Sequence, residues 1–536
     1  MKVMKQRKLA LVTALAVLGT ATGTLAASGD WPQWGGTNHR NMYSPARGLP
    51  DRVDPGKFKR GSQEVDLETT KNVKWAARLG SQSYGNVVIS QGRVLVGTNN
   101  DGLRDPQHQN DRSILLCLDE ATGEFLWQLV VPKLKSGKVN DWENLGILSS
   151  PKVEGKYVYV VTSRCEVICL DLFGMADGND GPFQNEANYV VRDTGQPPAK
   201  IGPKDADIIW VYDMMDELGV FPHNASNSSP LIIGDLVYVC TSNGQDWTHV
   251  NVPSPLSPSF IALNKRTGEF AGEDDSGVGP RILHGQWSSP SSGVVNGQTQ
   301  VYFGGGDGWL YAYSAEPKAA DDTAWLTTVW KYDANPPEYR VRDGQPIRYP
   351  AADGPSEINA TPTFYKNRVY VAIGQDPEHG EGIGRLVCVD ATQEGDVTQT
   401  ATIWDYRGIH RSISSVSIDP TTDLLFVGDF SGFVHCLNAE TGELYWVHDM
   451  KAHMWGSTLV ADGKVYVGDE DGDFVVLAAS REKKILSEAY LNAPVYGTPV
   501  AANGVVYLQS NSHLFAFHDS ELARPSSDAP PQPSTQ

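Results

Sequence analysis

The sequence predicts an all-β protein, an eight-bladed β-propeller of four-stranded antiparallel blades, and three observations support this. One phrase recurs along the chain, most clearly as Cys117–Trp127 (CLDEATGEFLW) and Cys436–Trp446 (CLNAETGELYW). A short alternating strand of the Val-Tyr-Val type occurs eight times, and residues 73–77 can complete the last unit. A short-strand unit that recurs along the whole chain is typical of a propeller or a stacked array.

One repeat unit can be followed in full at residues 455–490. A first strand, Trp455–Val460, is followed by an Asp-Gly turn and by the alternating strand Lys464–Val467. A second Asp-Gly pair precedes the third strand, Asp473–Leu477, and other copies place a tryptophan on the fourth strand. Asp-Gly between alternating apolar runs is a strong hairpin signal, so each unit is predicted to be one blade.

The second strands of the units set the number of blades. There are eight: Arg93–Val96, Tyr157–Val160, Leu236–Val239, Gln300–Phe303, Arg368–Val371, Leu424–Val427, Lys464–Val467 and Val505–Leu508. The last unit has no obvious fourth strand, and Val73–Ala77 is expected to supply it and close the ring. Closure removes the exposed strand edges that promote aggregation.

Outside the repeats, the chain divides into a leader, an extension and a tail. Residues 1–26 combine four basic residues, an apolar run at 9–18 and small residues near Ala26, which is typical of a signal peptide. The apolar run is short for a membrane anchor, so we expect an exported, periplasmic or extracellular protein with no membrane span in the mature chain. Residues 27–72 are expected to pack on the propeller at 73–519, which carries inserts at 172–207 and 315–357, and 520–536 to be a disordered tail.

The net charge bears on the class of partner, and the positions of the cysteines bear on disulfide bonding. The formal net charge of −20 disfavours nucleic acid as a partner. Four cysteines, Cys117, Cys169, Cys388 and Cys436, occupy the same strand position in four repeats, and small apolar core residues are the better interpretation than disulfides. The pairing of Cys165 and Cys240 stays open.

The Asp/Asn-x-x-Thr-Gly-Glu turn with its tryptophan strand resembles the pyrroloquinoline-quinone (PQQ) repeat. Over residues 73–519 the chain resembles PQQ-binding-like β-propeller repeat proteins of the quinoprotein alcohol dehydrogenase-like superfamily. Asp30–Trp34, His284–Pro290 and Gly374–Gly382 carry the more detailed likeness. The Gly-His and Trp-Asp signature of the WD40 propeller does not recur, so that family is set aside.

This resemblance implies PQQ and calcium as candidate cofactors, and the residues support them only in part. Tyr238–Trp247 is similar to the segment that carries the calcium-binding asparagine, which would place Asn243 as a metal ligand; a plain Asn-Gly turn is the alternative. No two cysteines are adjacent, and Trp287-Ser288 stands where the enzymes have Trp-Asp. A PQQ- and calcium-dependent dehydrogenase that oxidises an alcohol or sugar is therefore the alternative function, and whether the protein is an enzyme stays undecided.

The first residues of each inner strand should converge around the propeller axis. Tyr84, Asn86 and Tyr496 belong to this ring, and the candidate funnel residues are Trp142, Glu143, His223, Asn227, His284, Gln286, Trp287, Glu357, Asn359, His410, Arg411, His453 and Trp455. Three interpretations stay open: a water-filled channel, a ligand-binding funnel, and a catalytic or metal site.

A second candidate site lies in one acidic hairpin. Asp376, Glu378, His379 and Glu381 concentrate carboxylates and an imidazole, so the loop is either a metal site or a solvated tip. The leading hypothesis for the whole protein is an exported binding or scaffold module that acts through its central funnel. Its partner, a small molecule or a protein, is not specified by the sequence.

Overall fold

A computed structural model describes residues 29–320, 323–379 and 382–521. The predicted signal peptide, nearly all of the predicted tail, and Glu381 lie outside the described residues. The described chain forms eight sheets, each built on four antiparallel strands and arranged as the blades of a propeller, so the predicted fold class is confirmed. Three of these sheets carry one or two additional strands. In the described part, no helix combines the length and the apolar character needed to cross a membrane.

Blades 1 to 7 run outward from the axis in sequence order, and blade 8 does so over its first three strands. The inner strands are Val88–Ser90, Lys152–Glu154, Leu231–Ile233, Ser291–Val295, Thr363–Tyr365, Ser417–Asp419, Leu459–Ala461 and Val500–Ala502. The second strands are Arg93–Asn99, Tyr157–Val161, Leu236–Cys240, Gln298–Gly304, Arg368–Ile373, Leu424–Gly428, Lys464–Gly468 and Val505–Gln509.

Two further strands complete each blade. The third strands are Arg112–Asp119, Glu166–Asp171, Phe260–Asn264, Trp309–Ser314, Arg385–Asp390, Phe433–Asn438, Asp473–Ala478 and His513–His518. The outer strands are Phe125–Pro132, Ile208–Asp213, Phe270–Asp274, Thr328–Asp333, Thr402–Tyr406, Leu444–Asp449, Ile485–Tyr490 and, for blade 8, Val73–Arg78. Val73–Arg78 pairs antiparallel with His513–His518, which confirms the predicted closure of the ring.

Some short elements lie outside this pattern. The remaining strands are Tyr43–Ser44, Lys57–Phe58, Val65–Asp66, Lys318–Ala320, Thr323–Leu326, Val341–Arg342, Gln345–Pro346 and Gly395–Asp396. The α-helices are Glu186–Tyr189, Met214–Leu218 and Pro337–Arg340, and the 3-10 helices are Leu67–Thr69, Gly137–Val139, Gly174–Ala176 and Gly279–Arg281. Each helix has five residues or fewer, so the protein is mostly β.

The repeated Thr-Gly turn and the tryptophan of the outer strand join neighbouring blades. The indole of Trp75 in blade 8 donates to the carbonyl of Glu120 in blade 1 at 3.0 Å. A side chain on Gly123 would meet the ring of Trp75 at 2.6 Å, and Gly123 has φ +74°. Gly268 and Gly442 contact the tryptophans of their preceding blades in the same way. Only glycine adopts this positive φ readily and also leaves room for the indole ring, which explains why the Thr-Gly turn recurs.

The six cysteines are all free and buried. Cys117, Cys169, Cys388 and Cys436 lie on third strands and pair in register with the tryptophan of the outer strand. Burial raises the pKa of the Cys117 thiol, so it stays protonated and acts as a small apolar group. Cys165 and Cys240, whose pairing the sequence left open, are free thiols in the core as well.

The predicted insert at 315–357 is divided in the structure. It contains Thr328–Asp333, the outer strand of blade 4, because the chain returns to its blade after a short hairpin. That hairpin, at 318–326, pairs with the outer strand of blade 3 instead of extending into solvent. Only residues 334–357 form a connection between blades. Residues 172–207 join the third and outer strands of blade 2.

Candidate functional site

Strand direction divides the connections into two faces. The loops that enter each inner strand, and the loops between second and third strands, lie at one end of the antiparallel blades, which we call the upper face. The turns between inner and second strands lie at the opposite, lower face. The insert at 172–207 begins and ends at the lower face, because it joins a third strand to an outer strand.

Residues 31–44 close the axis at the lower face. Their backbone and side chains hydrogen-bond to the inner strand of every blade in numerical order, through Ile89, Val153, Ile232, Ser292, Phe364, Ile418, Val460 and Ala501. Tyr43–Ser44 also pairs in parallel with the inner strand of blade 7. This floor segment, residues 31–44, was missed by the sequence analysis beyond the expectation that 27–72 pack on the propeller.

A buried arginine anchors the floor segment. Arg40 is fully buried and donates hydrogen bonds to four backbone carbonyls, those of Trp34, Ser229, Pro230 and Pro290. Burial lowers the pKa of Arg40 to about 9. The four carbonyls take the place of the water that a guanidinium would otherwise bind.

A ring of hydrogen bonds links the inner strands above the floor. The backbone N–H of one blade donates to a side-chain oxygen of the next blade, over six consecutive steps at 2.6–3.2 Å. The members, in order, are Ser415, Ser457, Thr498, Asn86, Ser150, Ser229 and Ser289. At the remaining blade, blade 5, the hydroxyl of Thr361 accepts from the indole of Trp34 at 3.1 Å. Small polar residues at this register therefore satisfy the strand ends and hold the blades together.

The floor and the ring enclose a funnel that opens at the upper face. Its cavity has a volume of ≈ 370 Å³. The wall combines indoles with amides and hydroxyls: Trp34, Trp142, Trp287, Trp455, Tyr84, Tyr496, Asn86, Asn224, Asn227 and Asn359 line it, together with the polar ring. Asp376 and Glu378 are the carboxylates among the described lining residues, which include no lysine or arginine.

The structure divides the candidate funnel residues into three groups. Trp142, Asn227, Trp287, Asn359 and Trp455 line the cavity. His410, His453 and Glu143 are exposed at the upper face and do not line it. The remaining members, His223, His284, Gln286, Glu357 and Arg411, are buried in the wall.

Gln286 and Arg411 hold loops of the funnel wall in place. Gln286 donates to the carbonyl of Asn243 and to the hydroxyl of Ser259, each at 3.0 Å. Arg411 donates to the carbonyls of Asp376 and His379 at 3.2 and 3.4 Å, and lies over the ring of Phe430. Both side chains therefore fix the conformation of the upper-face loops.

Asn243 has its side-chain amide occupied by backbone groups. Its Oδ1 accepts from the N–H of Phe221 at 3.0 Å, and its Nδ2 donates to the carbonyl of Ser254 at 2.9 Å. The residue is fully buried and clamps the loop at 241–259. Asn243 forms an isolated bridge with Pro222, and residues 243–244 do not form the tight Asn-Gly turn offered as the alternative.

Two candidate sites that were separate in the sequence analysis meet at one point. His223 and His284 come from loops that enter blades 3 and 4, and His379 comes from the acidic hairpin of blade 5. His249, in the loop 241–259, joins them and was missed by the sequence analysis. Ring centroids of the touching pairs are 4.2–5.1 Å apart. We call these four residues the histidine cluster.

Burial keeps members of the histidine cluster neutral. Burial lowers the pKa of His223 to about 4, against the opposing effect of its hydrogen bond to the Gln245 carbonyl. The pKa of His284 is lowered further, first by burial and then by the neighbouring imidazoles, and that of His379 is lowered for the same reasons. Neutral imidazole is the form that carries a free lone pair.

Acidic groups stand beside the histidine cluster. Glu357 is fully buried, and its Oε1 accepts from the backbone N–H of Asp376 at 2.8 Å and from the hydroxyl of Tyr349 at 3.1 Å. Burial, and then the nearby charge of Asp376, raises the pKa of Glu357 to about 8. Burial raises the pKa of Asp376 to about 6. Glu378, two residues on, is exposed and lines the cavity.

Comparison with known proteins places this architecture in a family. The profile of the family described as "Outer membrane protein assembly factor BamB" matches residues 111–334 and 431–524, more than half of the chain. The chain belongs to this family. A search of curated protein sequences finds no match.

Solved structures with low sequence identity to this chain have the same fold. BamB from Moraxella catarrhalis aligns with a TM-score of 0.50 at 16% identity, covering 83% of this chain and 97% of that one. A europium-containing methanol dehydrogenase aligns with a TM-score of 0.56 at 11% identity, covering 92% and 98%. These likenesses establish the propeller and leave the function to be argued from the site.

The funnel does not fit the quinone that some propellers of this superfamily carry. PQQ bears carboxylates, which need cationic partners, whereas the charged groups among the described lining residues are Asp376 and Glu378. Asn243 has both ends of its amide occupied, and Ser288 donates to the Ala360 carbonyl at 2.8 Å where the enzymes place an acid. The residues of the funnel therefore do not support a mechanism that uses PQQ.

Proposed function

We propose that the protein is a binding module that takes a small, uncharged, hydroxyl-rich ligand, such as a short saccharide, into its central funnel. One observation supports this above the others: the funnel is closed at one end and lined by four tryptophans among neutral hydrogen-bonding groups. Flat apolar faces with a few fixed polar groups are the usual composition of a small-molecule site.

The shape of the wall supports a ligand with flat faces. Tyr84 and Tyr496 are stacked with centroids 4.6 Å apart, and Trp455 packs edge-on against both. Across the cavity, the indole of Trp287 is fixed by its hydrogen bond to the Ala225 carbonyl at 3.1 Å. Side chains fixed in this way lose little conformational freedom when a ligand binds, which favours affinity.

The charges of the wall disfavour an anionic ligand. Asp376 and Glu378 line the cavity without a lysine or arginine among the described lining residues, so an anionic ligand would meet repulsion. The amides of Asn86, Asn227 and Asn359 offer both donors and acceptors, as hydroxyl groups require.

A fluorescence titration of the purified protein with a panel of neutral oligosaccharides tests this proposal, with organic acids of equal size as a second panel. We expect saturable quenching or enhancement by a saccharide and none by the acids. Trp287→Ala should weaken binding at least tenfold. Trp325→Ala, a half-buried tryptophan of the hairpin on the outer strand of blade 3 that does not line the cavity, is the matched control. Saturable binding of acids alone, or no binding of either class, would contradict the proposal.

A protein scaffold role is the second candidate, and one surface favours it. The loop 241–259 exposes Trp247, Val250 and Leu256, whose exposed fractions are 56%, 76% and 93%. Exposed apolar groups gathered on one loop are typical of a protein contact. The family is named for an outer-membrane assembly factor, which makes a polypeptide partner a reasonable occupant of this rim. Retention of a partner by the wild type and its loss in a Trp247→Ser, Leu256→Ser variant would favour this role over the first.

We also propose that the protein acts outside the cytoplasm. The signal-peptide pattern at residues 1–26 supports this location, as does the likeness to BamB. Cell fractionation, with the mass of the mature N-terminus, tests the proposal. Cytoplasmic recovery of a chain that retains residues 1–26 would overturn it.

A further inference from the structure

The histidine cluster has an unusual number of unused nitrogen atoms. Each imidazole leaves one buried ring nitrogen without a hydrogen-bond partner: Nε2 of His223, His249 and His284, and Nδ1 of His379. The side chains of His223 and His284 are fully buried, so bulk water does not reach them. Buried polar atoms are ordinarily satisfied, and the two fully buried exceptions, Nε2 of His223 and Nε2 of His284, indicate a missing partner that accepts lone pairs.

The partners of the opposite nitrogens orient two of these lone pairs. Nδ1 of His223 lies 2.6 Å from the carbonyl oxygen of Gln245. A carbonyl can only accept, so Nδ1 carries the proton and Nε2 holds the lone pair. Nδ1 of His284 makes a long contact of 3.5 Å with the hydroxyl of Tyr349, which donates to Glu357. The bond of His223 to a backbone carbonyl is of the kind typical of histidines that bind a metal.

The distances within the cluster suit one ion. The ligand atoms of His223, His249 and His284 all lie within 4.8 Å of one another, and the same holds for His284, Asp376 and His379. Nε2 of His379 lies 3.2 Å from Nδ1 of His249, a spacing at which one nitrogen donates its proton to the other unless an ion takes the place of that proton. Two nitrogens bound to one tetrahedral ion at about 2.0–2.1 Å stand about 3.3 Å apart.

We propose that His223, His249, His284 and His379 bind one divalent transition-metal ion, with the carboxylate of Asp376 beside His379 and outside this shell of four ligands. Neutral imidazoles suit zinc and copper, whereas calcium and magnesium take oxygen ligands, so the site is distinct from a quinoprotein calcium site. Four protein ligands fill a tetrahedral shell, which fits zinc in a structural role.

The ion would join four loops of the funnel wall. Its ligands come from the connections that enter blades 3 and 4 and from the second-to-third loops of blades 3 and 5. None of the four imidazoles lines the cavity, and Trp287 packs against His223 and His284 on the cavity side. The metal site therefore stands independently of the proposed ligand, and a failure of saccharide binding leaves it unaffected.

Metal analysis of the purified full chain tests the proposal. The protein is stripped with a chelator and dialysed separately against Zn²⁺, Cu²⁺ and Ca²⁺, and bound metal is measured per chain. We expect about one equivalent of Zn²⁺ or Cu²⁺, no retained Ca²⁺, and a higher melting temperature with Zn²⁺. Retention of less than a tenth of an equivalent of both transition metals would overturn the proposal.

Variants locate the bound ion. His249→Ala with His379→Ala removes two half-exposed ligands and should lower Zn²⁺ affinity at least tenfold. His453→Ala, an exposed histidine of the upper face outside the cluster, should bind as the wild type does. Equal binding by both variants would place the ion elsewhere and overturn the assignment. If the double variant does not fold by circular dichroism, the Cu²⁺-loaded wild type decides: splitting from several equivalent nitrogens in its paramagnetic resonance spectrum supports the site, and an oxygen-only spectrum overturns it.

Discussion

The indole N–H of Trp34 donates to the hydroxyl of Thr361 at 3.1 Å, across 327 positions of sequence. Thr361 lies on the blade where the ring of inner-strand hydrogen bonds is interrupted, and Trp34 belongs to the floor segment. This bond therefore links the closure of the funnel at its lower end to the alignment of the blades around it. Both features control what the funnel admits.

Loss of the arginine that anchors the floor should destabilise the protein. Arg40→Met keeps much of the side-chain volume but leaves the carbonyls of Trp34, Ser229, Pro230 and Pro290 without their donor. We expect the free energy of unfolding to fall by about 2–4 kcal/mol, measured by urea denaturation. Arg47→Met, an exposed arginine of the same region, should change it by less than about 0.5 kcal/mol. Equal effects of the two substitutions would contradict the anchoring role.

The ring of hydrogen bonds should contribute to stability at each step. Thr498→Val preserves shape and removes the oxygen that accepts from the N–H of Ser457 at 2.8 Å. Because that N–H is then buried without an acceptor, we expect a loss of about 1–2 kcal/mol in the free energy of unfolding. Thr392→Val, at an exposed turn, is the matched control. A neutral Thr498→Val variant would show that the ring does not hold the blades together.

The backbone at Gly244 has no room for a side chain. A Cβ there would lie 2.6 Å from Cβ of His223 and 3.0 Å from the carbonyl oxygen of His284. Gly244→Ala should therefore displace one of these histidines and lower the melting temperature, which corresponds to a loss of about 1–3 kcal/mol in the free energy of unfolding. Gly202→Ala introduces a Cβ with nothing within 4 Å and should leave the melting temperature nearly unchanged. A larger fall in melting temperature for Gly202→Ala than for Gly244→Ala would refute the packing argument.

One buried carboxyl group gives a pH dependence of known sign. Burial raises the pKa of Asp469 to about 6 from its usual 3.8. The folded state thus holds this proton more tightly than the unfolded chain, and the resulting stability is lost as the pH rises through 6.

Asp469→Asn removes this titration. From pH 4 to pH 7, the free energy of unfolding of the variant should rise by about 1–2 kcal/mol relative to that of the wild type. Glu482→Gln, an exposed acid of the same blade, should show no such change. A wild type that gains stability over Asp469→Asn with rising pH would contradict the sign.

The propeller could be predicted from the sequence because its signals are local and repeated. The Thr-Gly turn, the tryptophan that packs on it and the alternating second strand recur in most blades, so errors in one copy are corrected by the others. The positions of Cys117, Cys169, Cys388 and Cys436 followed from the same register. Closure by Val73–Arg78 followed from the missing strand of blade 8.

The site was harder to predict because its contacts do not repeat. His249 lies in a long loop without periodicity, and only the fold brings it to His284 and His379. His410 and His453 occupy the expected register, yet their side chains lie at the exposed rim, since the loops before them differ in length from those at blades 3 and 4. The floor segment bonds mainly through backbone groups, which leave no pattern in the sequence.

The course of residues 31–44 has a consequence for biogenesis. This segment touches Ile89 of the first blade and Ala501 of the last, so its bonding partners are complete only when almost the whole chain has left the ribosome. During synthesis its tryptophans lack their final surroundings, and a chain cut short before the eighth blade lacks both a sealed axis and a joined circle. Availability of the whole chain, rather than of any single blade, is then the condition for reaching the native structure.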